Sequence, residues 1–135
     1  MSETSLEWKL EVIVLPSRDI DRSITFYRDQ VGFVLDHDVS PAPGVRIVQL
    51  TPRGSSCSVV VLQGMGSDGS APISGLQLVV RDVEAARSEL LERGVDVAPV
   101  TRMGDGDASA FIYFSDPDGN GWAVQEIRNR SDWLT

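Results

Sequence analysis

Arg18-Asp19-Ile20-Asp21-Arg22-Ser23 runs on into Phe26-Tyr27 and Val31-Gly32-Phe33, and a second passage answers it: Arg81-Asp82-Val83-Glu84-Ala85-Ala86, running on into Leu90-Leu91 and Gly94-Val95. The two align at an offset of 63 residues and slip by one at the glycine. Self-similarity at such a period marks a duplicated supersecondary unit. An apolar, β-branched run precedes each passage, Val12-Ile13-Val14-Leu15 in one and Leu76-Gln77-Leu78-Val79-Val80 in the other, and reads as a strand. Asp19 and Asp82 stand where a carboxylate would cap the free N–H groups of a following helix. The helices follow from apolar spacings of three and four: Ile20, Ile24, Tyr27 and Val31, then Val83, Ala86, Leu90 and, less regularly, Leu91. Gly32 and Gly94 end them.

Three further strands are expected after each helix. In the first copy they are Phe33 to Val39, Val45 to Thr51 and Cys57 to Gln63; in the second, Val95 to Val100, Ala108 to Ser115 and Gly121 to Ile127. Turn chemistry separates them: Pro41-Ala42-Pro43-Gly44, Pro52-Arg53-Gly54, Gly104-Asp105-Gly106 and Asp116-Pro117-Asp118-Gly119-Asn120. The chain therefore reads as α+β, one domain over 1–135 built of two tandem βαβββ modules, about 8–63 and 75–128, joined by a Gly/Ser/Pro-rich linker over 64–74. A lone module would have one helix on one sheet face and nothing on the other, so the two copies must share a cavity or a core.

Composition narrows the function classes. An apolar fraction of 41% and a charged fraction of 24% are those of a globular domain with a core. A net charge of −8 repels phosphate backbones and anionic lipid, which argues against nucleic acid and membrane as partners. Met1-Ser2-Glu3-Thr4-Ser5 lacks the basic and apolar regions of a signal peptide, so a cytoplasmic location is expected. The single cysteine, Cys57, reads as a structural thiol at the head of an apolar strand, far in sequence from the single histidine, His37.

Four local features together resemble the vicinal oxygen chelate superfamily of glyoxalase I, bleomycin-resistance proteins and extradiol dioxygenases: Asp19-Ile20-Asp21-Arg22-Ser23 leading to Phe26-Tyr27, its partner at Asp82-Val83-Glu84-Ala85-Ala86, Gly32-Phe33, and Phe114-Ser115-Asp116-Pro117-Asp118-Gly119-Asn120 before a last strand. The last is the most specific. The resemblance covers about residues 8 to 128. It implies mixed sheets curved around a shared cavity with helices outside, and homodimers in many members. In catalytic members it implies a divalent metal held by His, Glu or Gln from the strands.

Carrying that ligand set over position by position gives Val12, seven residues before Asp19; Gly75, seven before Asp82; Ala123, seven after Asp116; and the middle of Val59-Val60-Val61. None of these side chains has a lone pair for a metal, so no cofactor is expected. The alternative is a displaced divalent-metal site of Glu11, Gln77 and Glu126 or Gln125. His37, between Asp36 and Asp38, reads as an exposed histidine, or as a general base if Leu35 and His37 face the cavity.

Polar residues inside apolar strands then mark the ligand. Gln49, Gln77 and Gln125 each sit in a strand, Tyr113 alternates with Phe111, and Trp122 lies in the same hairpin. Aromatic walls with a few amides describe a pocket for a flat organic molecule. The expected function is metal-independent binding of a small, partly aromatic molecule by a homodimer, in a sequestering or carrier role. The alternative is a metal-dependent lyase, isomerase or dioxygenase.

Overall fold

Each of the two apolar runs that open a module becomes an edge strand. The computed structural model describes residues 6–65, 70–103 and 109–129. The first module comprises β1 (Val12–Leu15), α1 (Ile20–Ile24) continuing as a π-helical segment (Thr25–Val31), β2 (Val34–Ala42), β3 (Val45–Thr51) and β4 (Ser58–Gln63). The second comprises β5 (Leu76–Val80), α2 (Val83–Glu92), β6 (Thr101–Met103), β7 (Ser109–Ser115) and β8 (Gly121–Glu126). Two four-stranded sheets result, ordered β1-β4-β3-β2 and β5-β8-β7-β6. In each, the outer pair is parallel and the others antiparallel. The same topology twice is the duplication that the 63-residue offset foretells. No helix among the described residues is long and apolar enough to cross a membrane.

The caps behave as the sequence suggests. Asp19 accepts from Arg22 N, and Asp82 accepts from Glu84 N and Ala85 N. Gly32, at φ 95°, closes the π-helical segment in the left-handed conformation, its N–H bonded to Tyr27 O. The wider π turn departs from the single α-helix that the spacing suggests. It accompanies two consecutive buried aromatics, Phe26 and Tyr27, a pairing that a 3.6-residue period does not favour on one face.

Strand alternation sorts the side chains. Leu15, Val48, Leu50, Val59 and Val61 of the first sheet face the helices, as do Leu76, Ala110, Ile112, Phe114, Trp122 and Val124 of the second. All belong to one buried cluster with Ile20, Phe26, Tyr27, Val83 and Leu90. Full burial of a side chain such as Leu15 or Ile112 contributes roughly 1.5–3 kcal/mol. Tyr27, on the first module, sits 6.0 Å from the Trp122 ring and Phe26 sits 6.0 Å from the Phe114 ring, so the two modules share this core through their helix-bearing sides. Among the described residues, the opposite face of each sheet carries no helix.

The Asp116–Asn120 turn ties the modules together. Asp116 Oδ1 accepts from Asp118 N at 2.9 Å and Asn120 N at 2.8 Å. Asn120 Nδ2 reaches back to Pro16 O at 2.9 Å, and Asn120 Oδ1 accepts from Ile73 N at 2.9 Å. Asp118, its side chain 4% exposed, pairs with Arg22 Nη2 at 2.9 Å and accepts from Arg18 N. A tight turn is what the sequence suggests; a buried polar knot between modules is what forms.

The expected strand over 95–100 does not form. Pro99 lacks an N–H to donate, and Arg87 donates to the carbonyls of Ala98 and Val97, so this backbone bonds to a side chain and the ladder begins only at Thr101. Strand β2 extends through Pro41, which an edge strand tolerates. The turn Gly104-Asp105-Gly106, Ala108, positions 66–69 of the linker and Met1-Ser2-Glu3-Thr4-Ser5 lie outside the described residues.

Candidate functional site

The faces without helices carry the candidate chemistry. On the second sheet, Gln77 pairs with Ala123 and Val79 with Gln125 in register, which puts both glutamines on the open face. Gln77 Nε2 donates to Gln125 Oε1 at 2.7 Å. That bond leaves the Gln77 carbonyl and the Gln125 amino group free to bond a ligand. On the neighbouring strand the rings of Phe111 and Tyr113 stack at 6.2 Å with planes 14° apart, and Tyr113 is 40% exposed. A cleft of about 600 Å3 lies against Tyr113, with Ser74, Gly75, Asp96, Ala98, Ser115, Gly121 and Ala123 among its lining. The small side chains leave room for a planar group to lie against the tyrosine ring.

The open face of the first sheet is more self-contained. Gln49 Nε2 donates to Ser58 Oγ at 3.2 Å. Ser58 Oγ in turn lies 2.6 Å from Thr51 Oγ1, which donates to Asp36. Gln49 therefore anchors a polar row on this sheet and stands apart from the Gln77–Gln125 pair. His37 pairs with Gln49 across the sheet, while Leu35 pairs with Leu50 in the core; a bulge at Asp36 separates them. His37 and Leu35 thus face opposite sides, and His37 is exposed. The row from Asp36 to Ser58 is absent from the expected site, although Thr51 and Ser58 share the alternation of Gln49 and could have been read with it.

Two of the expected site residues make their side-chain bonds on the core side, although Trp122 also borders the cleft. Trp122 is 5% exposed on the core face, where its Nε1 donates to Tyr27 Oη at 2.9 Å. Alternation places Trp122 and Tyr113 on opposite sides of their hairpin, since Tyr113 pairs with Ala123 and Phe114 with Trp122. Glu126 also belongs to the core side. Its Oε1 accepts from Val83 N at 3.0 Å at the start of α2, and its Oε2 meets Arg128 Nε at 3.0 Å. Glu11 is exposed just before β1, and its carbonyl accepts from Ser58 N at 2.9 Å. The displaced trio of Glu11, Gln77 and Glu126 is therefore not assembled: Gln77 is on the open face and Glu126 is spent on a helix end. Gln125, the alternative third ligand, instead bonds Gln77.

A resident metal can be tested against the side chains themselves. Val12 pairs with Ser58, and Val60 with Gln49, on the open face of the first sheet; Ala123 lies on that of the second, and Gly75 lines the cleft. These positions carry alkyl groups or hydrogen, with no donor atom for a metal. Among the described residues, no group of three His, Cys, Asp or Glu side chains is placed to hold an ion. The residues present do not fit such a group.

Comparison with known proteins follows the same outline. A family model described as the Glyoxalase/Bleomycin resistance protein/Dioxygenase superfamily matches residues 9–124. Catechol-2,3-dioxygenase of Bacillus subtilis (strain 168) is 30% identical over 124 residues, which cover 88% of this chain and 41% of that protein. The chain thus spans about two fifths of the length of this curated relative. Among solved structures, TnmS3, an antibiotic binding protein from Streptomyces sp. CB03234, is 31% identical, with a TM-score of 0.73 over 92% of this chain and 98% of that one. A superfamily member from Sphaerobacter thermophilus DSM 20745 is 30% identical, with a TM-score of 0.76 over 90% of this chain and 98% of that one.

Proposed function

Because the chain belongs to the glyoxalase/bleomycin resistance protein/dioxygenase superfamily, we propose that it binds a small, partly aromatic organic molecule without a metal, in a sequestering or carrier role. One observation carries this reading. The cleft beside the stacked Phe111 and Tyr113 has Gly75 and Ala123 where metal-binding relatives would be expected to place ligands. A planar ring would rest on Tyr113, and the Gln77–Gln125 pair, next to the cleft across Ala123, would offer it one acceptor and one donor. The antibiotic binding relative, matched along nearly its whole length, supports the same class of activity.

The cleft has a floor and one wall. Its other wall is assigned to the open face of the first sheet in a second copy, where Val12, Val14 and Val39 are 36%, 43% and 48% exposed. A homodimer would cover both faces at once. The dioxygenase relative favours an enzymatic reading, but Val12, Val60, Gly75 and Ala123 offer no donor atom for the metal of such chemistry.

The test is a thermal-shift screen against aromatic natural products. A true ligand at a hundred times its dissociation constant stabilises by about 2.7 kcal/mol. Hits whose stabilisation falls by about half in Tyr113→Ala, as a tenfold loss of affinity requires, support the reading. A screen without hits, or hits indifferent to Tyr113, overturns it.

A further inference from the structure

A second cavity, of about 360 Å3, opens on the helix-bearing side, between the end of the π-helical segment, the β3–β4 turn and α2. Its floor is apolar, with Val31, Phe33, Leu78, Val80, Leu90 and Val124. Its rim is charged. A Cβ built on Gly32 would meet Arg93 Nη1 at 3.0 Å and Arg53 Nη2 at 3.3 Å. Two guanidinium groups, one from each module, therefore converge over a residue with no side chain.

The counter-charge at this rim is incomplete. Glu89 Oε1 lies 3.4 Å from Arg93 Nη2, and Glu89 Oε2 lies 3.6 Å from Arg53 Nη2, both at the long end for an ion pair. Arg93 Nη1 is buried with no hydrogen-bond partner among the described residues. A buried, unsatisfied guanidinium N–H is costly and calls for a partner. Gln30 Nε2 donates to Arg93 O at 3.0 Å, which fixes the backbone from which this side chain extends.

We propose that this cavity binds a small monocarboxylate with an apolar body, its carboxylate bridging Arg93 Nη1 and Arg53 and its body lying on Leu78, Val80, Leu90 and Val124. Two guanidinium groups and one carboxylate leave one positive charge uncompensated, which a single ligand carboxylate neutralises. Arginine suits this role because its planar fork matches a carboxylate. The apolar floor selects an alkyl or aryl tail over a bare inorganic anion. The site is separate from the open-face cleft and does not depend on what that cleft binds.

The test is calorimetric titration with octanoate, using octan-1-ol and octylamine as matched controls. One saturable octanoate site per chain is expected, with the alcohol and the amine at least roughly tenfold weaker, the scale of a lost charge-assisted hydrogen bond. Arg53→Gln, at a 61% exposed side chain, weakens octanoate by a similar factor, and Tyr113→Ala leaves it unchanged. Arg93→Gln abolishes octanoate binding; it removes the unpaired Nη1 donor together with the long Arg93–Glu89 contact. Absence of saturable binding, equal binding of octanol, octanoate binding unweakened in Arg53→Gln, or its loss in Tyr113→Ala overturns the proposal. Arg53→Gln carries the test by itself if Arg93→Gln does not fold.

Discussion

Tyr27 donates its phenolic hydroxyl to Asp116 Oδ2 at 2.6 Å, across 89 positions of sequence, and the Tyr27 Oη accepts from Trp122 Nε1 at 2.9 Å. A single buried hydroxyl thus joins the π-helical segment of one module to the turn and the last strand of the other. Removing it leaves a carboxylate oxygen and an indole N–H short of a partner in the core. Tyr27→Phe is expected to cost about 1–3 kcal/mol. Urea denaturation would show it as a lower midpoint at unchanged slope. A midpoint within error of wild type would mean that the contact adds nothing to the joining of the modules.

The same group sets an alkaline limit. Burial, and then the Asp116 carboxylate, push the Tyr27 pKa upward from its ordinary 10.0. The folded state therefore favours the protonated phenol more than the unfolded state does. The stabilisation is complete below the unfolded value, near 10, and declines as pH rises from there toward the higher folded value. Denaturation midpoints measured between about pH 8 and 11 should fall at the upper end for wild type. Tyr27→Phe should lose that component of the fall. Parallel curves for the two proteins would remove Tyr27 as the cause.

Much of this was legible in the sequence, and the misses have physical reasons. The capping aspartates, the closing glycines and the duplicated strand order follow from local rules, because backbone N–H groups and left-handed turns constrain residue choice directly. Gln77, Gln125 and Tyr113 stand out in the sequence as polar or aromatic interruptions of apolar strands, and strand alternation puts all three on one face. Trp122 borders the same cleft but turns its ring to the core, because proximity in a hairpin does not fix the face; the register with Phe114 does. Glu126 read as a potential ligand because its bond to Val83 N spans 43 residues and no local pattern announces it. The strand expected over 95–100 failed because Arg87, eleven residues before Ala98, took its carbonyl.

Glu126 makes a direct prediction about metal. It accepts from Val83 N at the start of α2, so Glu126→Gln weakens an N-terminal bond and should cost about 0.5–2 kcal/mol. Metal content should not change with it. Tag-free protein, loaded with Ni, Mn, Fe or Zn in turn and washed, is expected to retain no stoichiometric ion. Close to one ion per chain, lost in Glu126→Gln, would restore the displaced site and reopen the enzymatic reading.

The two aromatic residues of the β7–β8 hairpin should separate ligand from fold. Tyr113 is 40% exposed beside the cleft, whereas Trp122 is 5% exposed and bonded to Tyr27. Tyr113→Ala should lower affinity for an aromatic ligand about tenfold, the scale of a lost ring contact plus its buried area, with the melting temperature nearly unchanged. Trp122→Phe should do the reverse, lowering stability by about 1–3 kcal/mol through Tyr27 while affinity holds. Equal loss of affinity in both would place the ligand in the core and not on the open face.

Assembly is the last consequence of the exposed faces. Val12 and Val14 on β1, with Val39 on β2, are 36%, 43% and 48% exposed on one side of the first sheet; Tyr113 and Met103 are 40% and 47% exposed on the second. On the first sheet these valines stand on its two edge strands and flank the same face, and exposed apolar groups that share a face mark an association site. Covering one face with the other in a two-fold pair would bury both sets and close the cleft. Light scattering at micromolar protein is expected to give twice the chain mass. Val14→Glu, which puts a charge in the covered region, should give the monomer and weaken any aromatic ligand along with it. A wild-type monomer that still binds ligand would mean that the cleft on the second sheet is sufficient alone. A Val14→Glu dimer of unchanged mass would move the interface off the open faces.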